Sequence, residues 1–261
     1  MALTAPQRSA IAAAHGHEPE RLVELDHGYD FVVAIVEDAW VYRFPRRPIV
    51  EEALERELAL LPVLAAELPV EVPRFELVVR EPLFFVRYPL VRGTPLRDED
   101  PDGVAAFLAA LHGCGRARPL LEAPPWREEY VERCERFARS VVPLLDADER
   151  PRARAFLDEA ETLTGFEPVP IHGDLLAEHM LCRDGRLTGV IDWGDARVGD
   201  PALDYAWLLN EPFPHWEVED ELRRRAGFYH RLEPWIWAHY GLLTGSPGHV
   251  RAGLAELVSR L

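Results

Sequence analysis

The segment MLCRDGRLTGVI, from Met180 to Ile191, restricts what this chain can fold into more than any other. Two β-type runs, Met180-Leu181-Cys182-Arg183 and Arg186-Leu187-Thr188-Gly189-Val190-Ile191, bracket Asp184-Gly185. Asp-Gly between such runs is among the best short hairpin signals, because glycine accepts the positive φ of a type I′ turn. His179 precedes the first run and Asp192 follows the second, so a closed hairpin brings both to its open end. Asp174 lies five positions before His179, on a His172-Gly173-Asp174 loop that follows the short apolar run Val169-Pro170-Ile171. One carboxylate placed as a base near two metal-ligand candidates is the outline of a phosphoryl-transfer site.

The pattern H-G-D-L-x-x-x-x-H-x-L, then I-D-W and G-D-P-x-x-D, closely resembles the aminoglycoside phosphotransferase family, kinase-like enzymes that phosphorylate small-molecule hydroxyls. The resemblance implies an α+β, two-lobed protein-kinase-like fold. A small β-rich N-terminal lobe, residues 1–88, would bind the nucleotide. A larger, mostly helical C-terminal lobe, residues 89–261, would carry the catalytic loop and the substrate site. By the same resemblance Asp174 is the catalytic base, Asp192 bridges Mg²⁺ with His179 as a second ligand, and His172, Asp200 and Asp204 support the site. Asp200 precedes Pro201 and is suited to cap the helix that begins there. Two departures stand out. Most members have Asn where this chain has His179, and imidazole is a softer donor than Mg²⁺ prefers, which admits Mn²⁺ or a bridging water. The family also usually places Lys over the α- and β-phosphates.

This chain has no lysine; all 29 basic residues are arginine, and there is a single Asn (Asn210) and a single Gln (Gln7). High-GC coding bias explains that most simply. Arg43, in V-Y-R-F-P, is therefore the candidate phosphate cation, with Arg46 and Arg47 as alternatives, and Glu57 its candidate helix partner in preference to Glu55. Arginine brings a permanent charge and a bidentate fork.

In chain order, Leu3 to His15 reads as a short helix. Strands at 21–25, 31–36 and 39–44, with turns at His27-Gly28-Tyr29-Asp30 and Glu37-Asp38, form a β-meander. No G-x-G-x-x-G or Walker loop is present. Residues 51–64 have helical periodicity, with Leu54, Leu58, Leu61 and Ala65 on one face and Pro62 interrupting near the end. Strands follow at 73–79 and 83–88. Backbone groups near Arg87, Tyr88 and Leu90 are the expected contacts to the purine edge, which leaves ATP and GTP undistinguished. Gly93-Thr94-Pro95-Leu96 reads as a plain turn. Helices at 102–112, 126–144 and 148–163 carry no motif, and His112 reads as structural.

The acidic balance, net charge −16, argues against nucleic acid as a partner and suits cationic small molecules. The tail from Asn210 supplies both kinds of substrate wall. Glu211, Glu217, Glu219, Asp220 and Glu221 would suit a polyamine sugar, and Phe213, Trp216, Trp235, Trp237 and Tyr240 an apolar ligand such as a macrolide. No apolar run is long enough to span a bilayer, and MALTAPQRSA lacks the form of a signal peptide, so the expected location is cytoplasmic. Cys114, Cys134 and Cys182 lack C-x-x-C spacing and predict neither disulfide nor zinc site. Oligomeric state is open. The expected function is transfer of the γ-phosphoryl of ATP or GTP to a hydroxyl of an aminoglycoside-type antibiotic, with a macrolide or metabolic alcohol as alternatives. Two other classes are an inactive nucleotide-binding pseudokinase and a metallohydrolase built on His172, Asp174 and His179; the second leaves Asp192 and G-D-P-x-x-D without a role.

Overall fold

Helix α1 (Ala5–His15) starts at a capping box: Gln7 N–H donates to Thr4 Oγ1 at 3.4 Å and Thr4 N–H to Gln7 Oε1 at 2.8 Å. The chain's one glutamine is spent there. The computed structural model describes residues 3–25 and 30–261, apart from the side chain of Ile49. The turn expected at His27-Gly28-Tyr29 lies outside the described residues.

Strands β1 (Leu22–Leu25), β2 (Phe31–Val36) and β3 (Trp40–Pro45) form the expected antiparallel meander. Helix α2 (Pro48–Glu67) then crosses to β4 (Leu77–Val79) and β5 (Phe85–Pro89). The five strands pair antiparallel in the order β1-β2-β3-β5-β4. Strand side chains alternate between faces, and both faces are covered. Val32, Ala34, Val36, Tyr42, Phe44 and Phe85 pack with Leu3 and Ile11 of the N-terminal segment. Phe31, Val41, Val86 and Tyr88 pack with Val50 and Leu54 of α2. Arg43 follows Val41 by two positions and so shares the α2 side.

The face expected for α2 is shifted, and the helix is longer than expected. The buried stripe runs through Leu54, Glu57, Leu61 and Leu64, whereas Leu58 and Ala65 are only half-buried. Pro62 lies inside the helix, which continues past the expected Leu64 to Glu67. Proline removes one helical hydrogen bond there, but Leu60, Leu61, Leu64 and Leu68 are buried on both sides of it and hold the helix in place.

Gly93-Thr94-Pro95-Leu96 is also not a plain turn. Strand β6 (Thr94–Pro95) precedes α3 (Pro101–His112), α4 (Trp126–Ser140), α5 (Arg150–Asp158), β7 (Val169–Ile171), β8 (Met180–Arg183) and β9 (Arg186–Val190). β6 pairs with β8, Thr94 opposite Cys182, in a three-stranded sheet of order β6-β8-β9. The predicted hairpin is therefore present with a third strand on its edge and a bulge at Leu181/Cys182. The helices expected over 126–144 and 148–163 each stop early and finish in 3-10 turns at 142–144 and 159–162. The chain closes with β10 (Arg197–Gly199), antiparallel to β7, then α6 (Ala202–Tyr205), α7 (Asp220–Thr244) and α8 (Pro247–Arg260).

Backbone contacts group the chain into two compact units. The first joins the residues through Leu121 with Ala177–Ala196; the second joins Glu122–Leu176 with Arg197–Leu261. The second unit packs around Trp126, Tyr130, Phe137, Phe156, Phe228, Tyr229 and Trp235. Among the described residues, no helix is long and apolar enough to cross a membrane.

Candidate active site

In the first unit the sheet, α2 and the hairpin each deliver one charged side chain to the same place. Arg43 Nη1 and Nη2 donate to Glu57 Oε2 and Oε1 at 2.8 and 3.2 Å. Both residues are buried, with 4% and 1% of their side chains exposed. Asp192 Oδ1 lies 3.6 Å from Arg43 Nη2, and the Phe31 ring covers the guanidinium with its centroid 3.9 Å from Cζ. Burial by itself would lower the Arg43 pKa; the charges of Glu57 and Asp192 outweigh it and hold the group above the usual arginine range. Burial pushes the Glu57 carboxyl up, and Arg43 pulls it back. The guanidinium charge is permanent, and it is the counter-charge to the Glu57 carboxyl. Burial also pushes the Tyr88 phenol, beside this pair, up to about 12.

The hairpin contributes the other half of this cluster. Ile191 N–H donates to His179 O at 2.9 Å, closing its open end. His179 Nε2 then lies 3.7 Å from Asp192 Oδ2. Asp192 itself is in the left-handed region, φ 65°, which turns its carboxylate out of the strand path. The donor set fits one divalent cation: two adjacent ligands at about 2.1 Å from a metal stand about 3 Å apart, so this pair needs less than an ångström of closure. A mixed imidazole and carboxylate pair suits Mn²⁺ as well as Mg²⁺.

The other candidates fall differently. Glu55 is exposed and pairs with Arg80. Arg46 Nε donates to Phe31 O at 3.0 Å, and Arg47 meets Asp30 at the surface. At the expected nucleotide edge, Leu90 N–H donates to Ala39 O at 2.8 Å and Arg87 O accepts from Glu76 N–H at 2.9 Å. A base contact through Leu90 N–H would have to break that bond.

In the second unit the loop bearing Asp174 is held by its neighbours. Asp204 is fully buried and accepts two consecutive backbone N–H groups, from His172 at 3.0 Å and Gly173 at 2.9 Å. His172 Nδ1 accepts from Asp174 N–H at 3.3 Å, which places the ring proton of a neutral His172 on Nε2. Asp174 is half-buried at the end of this brace. Asp200, also fully buried, accepts from Ala202 N–H at 3.0 Å in the first turn of α6. Its second oxygen takes Arg225 Nε at 2.7 Å and the Tyr229 hydroxyl at 3.0 Å. The Trp126 indole N–H donates to that hydroxyl at 2.7 Å. Burial, then the Asp200 charge, pushes the Tyr229 phenol well up.

The sequence profile of the phosphotransferase enzyme family matches residues 21–243. The chain belongs to this family. Among its relatives, the uncharacterised protein YcbJ of Bacillus subtilis strain 168 is 30% identical over 244 residues, which cover 81% of this chain and 75% of that one. The structure of the GDP and kanamycin complex of APH(2")-IIIa superposes with a TM-score of 0.85 at 24% identity, covering 97% of each chain. The macrolide 2'-phosphotransferase MphH from Brachybacterium faecium superposes at 0.71 with 26% identity, covering 95% of this chain and 96% of its own. The fold is thus the two-lobed, kinase-like α+β fold, with a small antiparallel-sheet lobe and a helical lobe.

Set against this family's motif, Arg225, Tyr229 and Trp126 are what sequence reasoning missed. Arg225 sits inside the run Arg223-Arg224-Arg225, where nothing local separates the one buried arginine from its solvated neighbours. The tail also divides in a way its composition conceals. Phe213 and Trp235 are buried core, while Trp237 is exposed and stacks on His249 at 5.8 Å. The aromatics therefore form no common wall. Glu211, Glu217, Glu219, Asp220 and Glu221 are all exposed.

Proposed function

We propose that this phosphotransferase moves the γ-phosphoryl of ATP or GTP to a hydroxyl of a small cationic molecule of the aminoglycoside type. The observation that carries the reading is the brace on Asp174: Asp204 and His172 fix a half-buried carboxylate on a loop, which is what accepting a substrate hydroxyl's proton requires. Residues 1–88 serve as the nucleotide lobe and 89–261 as the lobe with the catalytic loop and substrate site. Arg43, oriented by Glu57, supplies the positive charge for the α- and β-phosphates in place of the usual lysine. Asp192 and His179 would hold the divalent cation, which neutralises phosphate charge when bound. Backbone groups at Arg87, Tyr88 and Leu90 border the base, with the Leu90 N–H exchanging partners to reach it.

Substrate class rests on charge. The exposed carboxylates between Glu211 and Glu221 favour a cation, and a structural relative holds kanamycin. A macrolide is the second reading, favoured by the likeness to MphH at 26% identity. Location in the cytoplasm accords with both.

The test is a coupled turnover assay with Mg²⁺ or Mn²⁺ and ATP or GTP, against aminoglycosides, macrolides and small metabolic alcohols. Substrate-dependent turnover that vanishes in Asp174→Ala while nucleotide affinity holds is the expected result. Nucleotide binding without turnover on any acceptor would mark a pseudokinase. Absence of nucleotide binding would overturn the whole reading.

A further inference from the structure

Away from the motif, three ligand-bearing side chains of the first unit converge where α1 ends against the β2–β3 turn. We propose that His15, His17 and Glu37 bind a zinc-type divalent cation. One ring nitrogen from each histidine and one carboxylate oxygen lie within 4.8 Å of one another. His15 Nε2 stands 3.5 Å from Glu37 Oε1, and the two imidazoles meet edge-on with centroids 4.7 Å apart. Ligand atoms about 2.0–2.1 Å from a tetrahedral Zn²⁺ are about 3.4 Å apart. One pair already has that spacing, and the third ligand atom lies within 4.8 Å of both.

The backbone that sets this spacing is fixed on both sides. His15 is the last residue of α1, and Gly16 reverses the chain at φ 92°, a conformation that favours glycine, so that His17 returns beside it. Gly16 N–H closes the helix on Ala12 O at 2.9 Å. Glu37 occupies the left-handed region at φ 52° and donates its N–H to Arg21 O at 2.9 Å. Asp38 shares that conformation at φ 50°, as the tight hairpin turn closed by Ala39 N–H on Val36 O at 3.0 Å requires, and the turn fixes where the Glu37 side chain leaves the backbone. His17 Nδ1 lies 2.9 Å from Glu18 O. A carbonyl only accepts, so Nδ1 carries the proton and Nε2 keeps its lone pair, the arrangement by which a backbone carbonyl orients a metal-binding histidine.

The donor chemistry selects the ion. Two imidazoles and one carboxylate suit Zn²⁺ with a fourth position open to water, and are too nitrogen-rich for Mg²⁺ or Ca²⁺. Glu20 N–H donates to Glu37 Oε1 at 3.4 Å, which helps hold that oxygen beside His15 Nε2. Asp38 is paired with Arg21, so that arginine does not neutralise Glu37. The three cysteines are buried and offer no competing thiolate. A bound cation would tie the end of α1 to the sheet.

The test uses the full-length protein, stripped with a chelator and titrated calorimetrically with Zn²⁺ in excess Mg²⁺. Wild type is expected to take up one equivalent, to melt at a higher temperature with zinc, and to give the intense visible bands of tetrahedral Co²⁺ when cobalt replaces it. His17→Gln and Glu37→Gln, both at exposed positions, are expected to lose the equivalent and the bands while melting as wild type does without metal. Absence of binding by wild type would overturn the site. So would an equivalent that survives both substitutions, or one that disappears in His179→Asn instead.

Discussion

Arg43 and Glu57 face each other through two hydrogen bonds, of 2.8 and 3.2 Å, with both side chains almost wholly out of water. Removing one partner from such a pair strands the other's charge, at a cost of about 3–5 kcal/mol. Glu57→Ala is therefore expected to destabilise the protein by that amount in urea unfolding. The double variant Arg43→Met/Glu57→Leu, which removes both charges and keeps the volume, is expected to recover most of the loss. Equal destabilisation by the single and the double would show that shape, not charge, is what the site needs.

Asp204 meets the N–H groups of His172 and Gly173. Hydrogen bonds to a charged acceptor contribute about 1.5–3 kcal/mol each, and here they set the loop rather than the core. Asp204→Asn offers one acceptor where two are required. Turnover is expected to fall at least about tenfold, the equivalent of one such bond, with nucleotide affinity, measured by calorimetry, unchanged. An unaltered rate would mean the loop holds its shape without the clamp.

Gly199 sits under the indole of Trp126, and a Cβ there would lie 2.1 Å from the ring. Trp126 cannot move aside without giving up its bond to Tyr229. Gly199→Ala is expected to cost at least about 1–3 kcal/mol, the usual penalty for overpacking. Gly115→Ala, with nothing within 4 Å of the added carbon, is the control and should be near neutral. Thermal and urea unfolding of the two variants make the comparison.

His230 and His239 both titrate low. Burial is the larger cause for each, with Arg260 adding to it at His230 and Arg136 at His239. The folded protein thus resists a proton that the unfolded chain accepts at about pH 6.5. The stability these residues contribute is complete above that pH and is lost as pH falls through and below it. Unfolding free energy is expected to decline between about pH 6.5 and 5, and less steeply in His230→Gln. A rise in stability on acidification through this window would contradict the assignment.

The hairpin, and with it the placement of His179 and Asp192 at its open end, was legible because the information is local: Asp184-Gly185 sets the reversal, and alternation sets the strands. The Arg43–Glu57 partnership was legible through the family resemblance, and the structure adds that Glu57 lies on the buried stripe of α2. What escaped was long-range. Thr94 and Pro95 pair with a strand nearly ninety positions on, and Asp200 finds Arg225 and Tyr229 two elements later. The end of α2 fell short for a related reason, since local propensity near Pro62 yields to the packing of the leucines around it.

The division of the chain into units carries a consequence for its synthesis. The first unit needs Ala177–Ala196, yet 122–176 must be made before that stretch appears. A nascent chain that has emerged only to Leu121 has β6 without β8, and Arg43 and Glu57 without Asp192. Glu71 likewise waits, since it donates its N–H to Thr188 O and accepts from Val190 N–H. Folding during translation, which usually proceeds domain by domain from the N-terminus, must here leave the first unit unfinished while the polypeptide of the second begins to emerge. Ala177–Ala196, which carries His179 and Asp192, is also the last piece the first unit receives.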